Sequence, residues 1–175
     1  LWMEAGLLHF GDFAYRNGRA PFLTRFDLLG SYPDVLDACA QAVASVVEAD
    51  KPSRLLCASD SLPLGLALSL RMGIPVVYSR GRGEPPVEDL VGAYDIGHAT
   101  LLIANVIDGD ALKLPWVVGA QRVGLDVQRV VGLLGTIATP PLNTRWLVSL
   151  REASDSLVEW GMLPRGQPAA VQSWG

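Results

Sequence analysis

Two short polar stretches carry residue types able to do chemistry. Arg80-Gly81-Arg82 follows the apolar run Pro75–Tyr78, and Asp108-Gly109-Asp110-Ala111 follows Thr100–Ile107, with Lys113 just beyond. Guanidinium groups suit phosphate, because their forked N–H donors match its oxygens. Paired carboxylates suit a metal ion, a ribose or a cationic ligand. Each stretch also has a plainer reading. Asp-Gly is a turn signal, and Asp is a good helix cap. Arg80 and Arg82 also read as the charges of a solvated glycine-rich loop. A third polar stretch, Ser59-Asp60-Ser61, reads as the turn and cap that open a helix. His9 and His98 stand apart from any Ser, Cys or Asp arrangement that marks a triad or metal site, so both read as structural and no metal site is expected.

The surrounding elements follow from apolar spacing. Phe10–Tyr15 and Phe22–Phe26 flank Arg16-Asn17-Gly18-Arg19, where Asn-Gly predicts a hairpin turn. Ser31-Tyr32-Pro33-Asp34 opens a helix, with Ser31 as cap and Pro33 where its missing N–H is harmless. Val35, Leu36, Cys39, Val43, Val46 and Val47 then recur at helical spacing. Beyond Asp50, apolar strands at Arg54–Ala58, Pro75–Tyr78, Thr100–Ile107 and Val127–Leu134 alternate with helical stretches, and residues 79–95 read as a long polar loop. Pro115 fits the first position of its helix better than an interior one, because an interior proline removes a hydrogen bond. A last amphipathic helix is expected from about Asn143 to Trp160, with Arg145, Arg151, Glu152, Asp155 and Glu159 on its solvent face. Continuous apolar strands alternating with helices indicate an α/β fold with a parallel sheet covered on both faces. Such sheets bind ligands at the carboxyl ends of their strands, which points to the loops at 59–62, 79–95 and 108–114.

The composition bounds the partners. The 175 residues are 50% hydrophobic and 18% charged, with a formal net charge of −4. That balance excludes a disordered chain and argues against nucleic-acid binding. Lys51 and Lys113 are the two lysines among 14 basic residues. The longest charge-free run, Val130 to Thr144, is broken by glycine and proline and is too short to span a membrane. Cys39 and Cys57 are isolated in apolar contexts and read as buried thiols of a reducing, cytoplasmic compartment. The five tryptophans are scattered, which suits core packing or a dimer interface. We expect one domain, with a hood at 1–30, an α/β core at 31–160 and a tail at 161–175, of which Arg165–Gly175 reads as weakly ordered unless Trp174 anchors it to a partner.

Several segments together resemble orotate phosphoribosyltransferase. They are Leu7-Leu8-His9-Phe10-Gly11-Asp12-Phe13, Arg16-Asn17-Gly18-Arg19-Ala20-Pro21-Phe22, the Ser31-Tyr32-Pro33 helix start, Leu62-Pro63-Leu64, Pro75-Val76-Val77-Tyr78 with Arg80, and Leu101-Leu102-Ile103. The resemblance covers roughly the first 135 residues and rests on the order of elements. It implies a type I phosphoribosyltransferase fold, with a five-stranded parallel sheet and a small N-terminal hood. It also implies homodimers that share active sites and a phosphate or nucleotide ligand, with Mg2+ if phosphoribosyl diphosphate (PRPP) is bound. Residue by residue, it puts Arg80 and Arg82 on pyrophosphate, along with Ser59 and Ser61 at the neighbouring strand end. It puts Asn105, Asp108, Gly109, Asp110, Ala111 and Lys113 around the ribose phosphate, and Arg16 and Phe22 near the base.

The chain departs from that pattern where charge matters. The family's paired acids at the strand end read Ala104 and Asn105, and its Thr- and Gly-containing phosphate loop reads Asp108-Gly109-Asp110-Ala111. A carboxylate about 4 Å from a phosphate charge costs about 4 kcal/mol at an effective dielectric near 20. A helix N-terminus offsets only about 1 kcal/mol of that. The loop lysines and histidine are missing from residues 80–86, and the arginine that clamps the orotate carboxylate falls near Gly135 or Thr136. The expectation is therefore a divergent relative with weak or no standard PRPP-dependent transfer, acting as a binding or regulatory module. The alternative is an active transferase with a remodelled site.

Overall fold

The structure, a computed structural model, describes residues 1–15, 18–82, 85–163 and 171. The N-terminal hairpin pairs β1 (Leu8–Tyr15) with β2 (Gly18–Thr24) in antiparallel register. Its second arm lies earlier than Phe22–Phe26, because Phe26 starts a 3-10 turn, Phe26–Ser31, instead of ending a strand. The expected Asn-Gly turn involves Arg16 and Asn17, which lie outside the described residues.

The main sheet has the order β5-β4-β3-β6-β7-β8. Its strands are β3 (Arg54–Ala58), β4 (Val76–Ser79), β5 (Leu90–Val91), β6 (Ala99–Ile107), β7 (Asp126–Gly135) and β8 (Thr144–Ser149). Five of the six run parallel, as the resemblance implies, and the two-residue β5 adds an antiparallel edge beside β4. The helices are α1 (Pro33–Val47), α2 (Leu62–Met72), α3 (Pro86–Asp89), α4 (Pro115–Arg122) and α5 (Leu150–Glu159).

Side-chain alternation explains why both faces are covered. On β3 and β6, Leu55, Cys57, Leu101 and Ile103 face a core shared with α1, α2 and the hood. Their neighbours Leu56 and Leu102 face a second core with Val117 and Ala120 of α4. Successive residues of a strand point to opposite faces, so these two apolar sets require a layer on each side. Helix α1 contributes Val35, Cys39, Ala40, Val43 and Val47 to the first core, all at helical spacing. Val171 packs into the same core.

Three local expectations change. Residues 144–149 form β8, not the start of a long helix, and Arg145 therefore sits on a strand. Asn143 turns the chain in the left-handed region at φ 61°, and Thr144 then pairs with Val130 of β7. The helix starts at Leu150 behind a capping box, in which Ser149 Oγ accepts from Glu152 N at 3.1 Å and Ser149 N donates to the Glu152 carboxylate at 2.8 Å. Ser31 does not cap α1; Tyr32 is the residue before Pro33, without a side-chain capping bond. The polar stretch after β4 contains α3 and β5, so it is not a plain loop. Pro115 opens α4, as its chemistry requires.

Two predictions follow from the β7–β8–α5 corner. A methyl group added at Gly135 would lie 2.2 Å from Cδ2 of the Trp146 ring. Gly135→Ala is expected to lower unfolding free energy by about 1–3 kcal/mol in urea titrations; an unchanged midpoint would remove Trp146 from that position. The hydrogen bonds from Ser149 hold the Glu152 carboxyl below its ordinary pKa of 4.5. The stabilisation is present above that ordinary value and is lost as pH falls through the lowered one. Thermal unfolding between neutral and acid pH should show this dependence in the parent chain and a weaker one in Glu152→Gln.

Candidate functional site

The carboxyl ends of β3 and β6, together with the hood, enclose a cavity of about 420 Å³. It is lined from the hood by Thr24, Phe26 and Asp27, from the β3 end by Asp60 and Ser61, and from β6 onward through Asn105, Asp108, Gly109, Asp110 and Ala111 to Trp116. Two of the three expected loops therefore meet. None of the described residues of the 79–95 stretch is part of this lining.

Asn105 is the knot of the site. It is 6% exposed at the end of β6. Its Nδ2 donates to the backbone oxygens of Asp60 at 2.9 Å and Phe26 at 3.4 Å. Its backbone N–H donates to Ser61 Oγ at 3.2 Å, and that hydroxyl donates onward to Asp60 Oδ1 at 3.0 Å. One amide thus joins the β6 end, the β3 loop and the hood turn, while its own Oδ1 is buried without a hydrogen-bond partner. Ser61 is 3% exposed and held in this network, and Ser59 is exposed and outside the cavity lining. The 3-10 turn Ser59–Ser61 carries no side-chain cap, so Asp60 bonds Ser61 and does not serve as the expected cap. Behind it, burial and then the Asp60 charge push the Cys57 thiol up to about 12, which keeps it protonated.

Asp110 has the cap-and-turn role. Its Oδ1 accepts from Leu112 N at 3.2 Å, and its Oδ2 lies 3.0 Å from Lys113 Nζ. Lys113 is 84% exposed on its side chain and does not line the cavity. Asp27 similarly pairs outward with Arg25 at 3.3 Å. Among the described residues the lining includes four aspartates, Asp27, Asp60, Asp108 and Asp110, and no lysine or arginine. Such a wall suits ligand groups that donate hydrogen bonds or carry positive charge, and disfavours phosphate.

The other predicted residues lie elsewhere. Arg80 and Arg82 are exposed on the loop after β4. Their backbone is set by Asp89, which is 2% exposed and was not evident in the sequence as a site-shaping residue. Asp89 accepts from Ser79 Oγ and, at 2.6 Å, from Arg82 N, while its carbonyl accepts from Arg80 N at 3.0 Å. Phe22 is 6% exposed and packs in the first core. Arg16 and Trp174 lie outside the described residues. Thr136, near the expected carboxylate clamp, is buried and bonds Ile107 O through its N–H at 2.9 Å. His9 bonds Gly6 O and His98 accepts from Asp95 N, so both brace local turns. Thr24, Phe26 and Asp27 were missed because the hood's contact with the strand ends is not local in sequence.

The residues at the β6 end do not fit a Mg2+ ion carried with PRPP. Ala104 offers no side-chain oxygen, and the Asn105 amide is tied to backbone carbonyls. Among the described residues, no group of three or more His, Cys, Asp or Glu could hold a metal ion. Nor is any described helix long and apolar enough to cross a membrane.

No family model matches the chain. No curated protein matches it either. Solved structures do. A Leishmania donovani UMP synthase is 20% identical at TM-score 0.85, over 97% of this chain and 39% of its own. This chain thus spans well under half of that protein. An orotate phosphoribosyltransferase of Francisella tularensis is 15% identical at TM-score 0.73, over 98% of this chain and 93% of its own. One of Aeropyrum pernix is 15% identical at TM-score 0.65, over 93% and 97%. The chain has the fold of orotate phosphoribosyltransferases, a type I phosphoribosyltransferase fold.

Truncating the knot tests its weight. Asn105→Ala is expected to cost about 1–3 kcal/mol of stability, because it strips the donor from buried carbonyl oxygens. Denaturant midpoints for Asn105→Ala against Ser59→Ala, an exposed neighbour outside the cavity, would check this.

Proposed function

We propose that this protein is a binding or regulatory module on an orotate phosphoribosyltransferase-like fold, without standard PRPP-dependent transfer. The observation that carries the reading is the cavity wall: among the described residues four aspartates line it and no basic side chain does. A transferase of this fold must hold a pyrophosphate and a 5′-phosphate there. Preorganised positive charge normally supplies the largest catalytic term, and here the charged groups of the described lining are carboxylates, two of them already paired with Arg25 and Lys113 outside it. The ligand this wall favours is a nucleoside-sized molecule rich in hydrogen-bond donors. A homodimer belongs to the same reading, by analogy with the fold's other members. So does a reducing, cytoplasmic setting, which agrees with the free, buried Cys39 and Cys57.

A second reading, an active transferase with a remodelled site, is favoured by one observation. Arg80 and Arg82 have exposed side chains with no ion-pair partner among the described residues, which leaves them available to an anion. The two readings separate in one assay. PRPP and Mg2+ are incubated with a panel of purine and pyrimidine bases, orotate included, and pyrophosphate release is followed. No release above the protein-free control is expected. Base-dependent turnover that is lost in Arg80→Gln/Arg82→Gln would overturn the module reading.

A further inference from the structure

The opposite end of the sheet carries a second polar cavity, of about 300 Å³, at the amino ends of β7 and β8. Its lining includes Asp50, Arg129, Asn143, Thr144 and Arg145. The Asp50 carboxylate is 8% exposed and bridges two arginines: Oδ1 meets Arg129 Nη1, and Oδ2 lies 3.6 Å from Arg145 Nη1. Arg145 Nη1 also donates to Val46 O at 3.1 Å. One carboxylate cannot neutralise two guanidinium groups, so the cluster keeps a surplus of one positive charge. The Nε and Nη2 donors of both arginines have no partner among the described residues, and the two side chains are 51% and 55% exposed. Thr144 is 6% exposed, and its hydroxyl is buried without a partner.

We infer that Arg129 and Arg145 form a binding site for a phosphate oxyanion, separate from the cavity at the strand carboxyl ends. Asp50 acts here as a brace. It holds both guanidinium groups in place before a ligand arrives, which removes part of the ordering cost of binding. Their free N–H edges then present forked donors, the geometry that fits phosphate oxygens. The placement also separates charge across the fold. The cavity where this fold is expected to take phosphate, at the carboxyl ends of β3 and β6, is lined by carboxylates, and the surplus cationic pair stands at the amino ends of β7 and β8 in the same sheet.

The test is calorimetric titration with inorganic phosphate, with chloride holding ionic strength constant. Saturable binding with a dissociation constant of about 1 mM or tighter is expected. Arg129→Gln/Arg145→Gln should weaken it at least about tenfold, while Arg80→Gln/Arg82→Gln leaves it unchanged. In the unaltered protein, the Nε–H resonances of Arg129 and Arg145 should move with phosphate, a readout that needs no variant to fold. No saturable binding, equal binding of acetate, or loss of binding in the Arg80/Arg82 variant in place of the Arg129/Arg145 variant would each overturn the assignment. Ribose 5-phosphate binding more tightly than inorganic phosphate would name a phosphomonoester as the ligand, and the reverse order free phosphate. Pyrophosphate release plays no part in these measurements, so the proposed function and this site stand or fall separately.

Discussion

Strands β3 and β6 pair in parallel from Arg54 opposite Thr100 to Cys57 opposite Ile103, and most of the molecule is arranged around that pairing. Neither strand has a solvent face: Leu55, Leu56 and Cys57 are fully buried, as are Leu101, Leu102 and Ile103 to within 2%. A parallel pair buried on both faces needs helices on both sides and crossovers between strands. Helices α1 and α2 cover one face and α4 the other. Because both strands run the same way, their carboxyl ends finish side by side, and the loops that follow share one cavity.

What fills that cavity is decided by how its polar groups are committed. The Asn105 amide, at a position where the resemblance places an acid, joins the β6 end to the Asp60 and Phe26 carbonyls. It works as a structural tie between sheet and hood. Asp110 caps the following 3-10 turn and pairs with Lys113, which draws the nearest lysine outward. The basic groups are held elsewhere, Arg80 and Arg82 on a turn braced by buried Asp89, Arg129 and Arg145 around Asp50. Together these placements leave the cavity at the ends of β3 and β6 lined by carboxylates and gather Arg129 and Arg145 at the amino ends of β7 and β8.

The fold was largely legible in the sequence. The four apolar runs that became β3, β4, β6 and β7 are short, continuous and bounded by glycine, proline or polar turns, a pattern with few alternatives in an α/β chain. The fifth parallel strand was not. Trp146, Leu147 and Val148 continue an apolar spacing that runs into α5, and periodicity alone does not separate a short edge strand from the first turn of a helix. Pairing with β7, from Val130 opposite Thr144 to Gly135 opposite Ser149, decides it. The small β5 escaped for a similar reason, since two residues carry no period, and only contact with β4 makes them a strand.

For the site, residue chemistry by itself determined which loops could matter and that carboxylates replace the expected phosphate-binding groups. Asp-Gly-Asp after a strand, Ala-Asn in place of paired acids and a loop without lysine are all covalent facts of the chain. Tertiary structure alone decided which of these residues share a cavity. It added Asp27 from the hood, left Arg80 and Arg82 outside and gathered Arg129 and Arg145 around Asp50. The physical reason is range. A turn, a cap or a strand is set by neighbours a few residues apart, whereas charge acts through space between groups such as Asp50 and Arg129, whose separation in sequence says nothing of their distance in the fold.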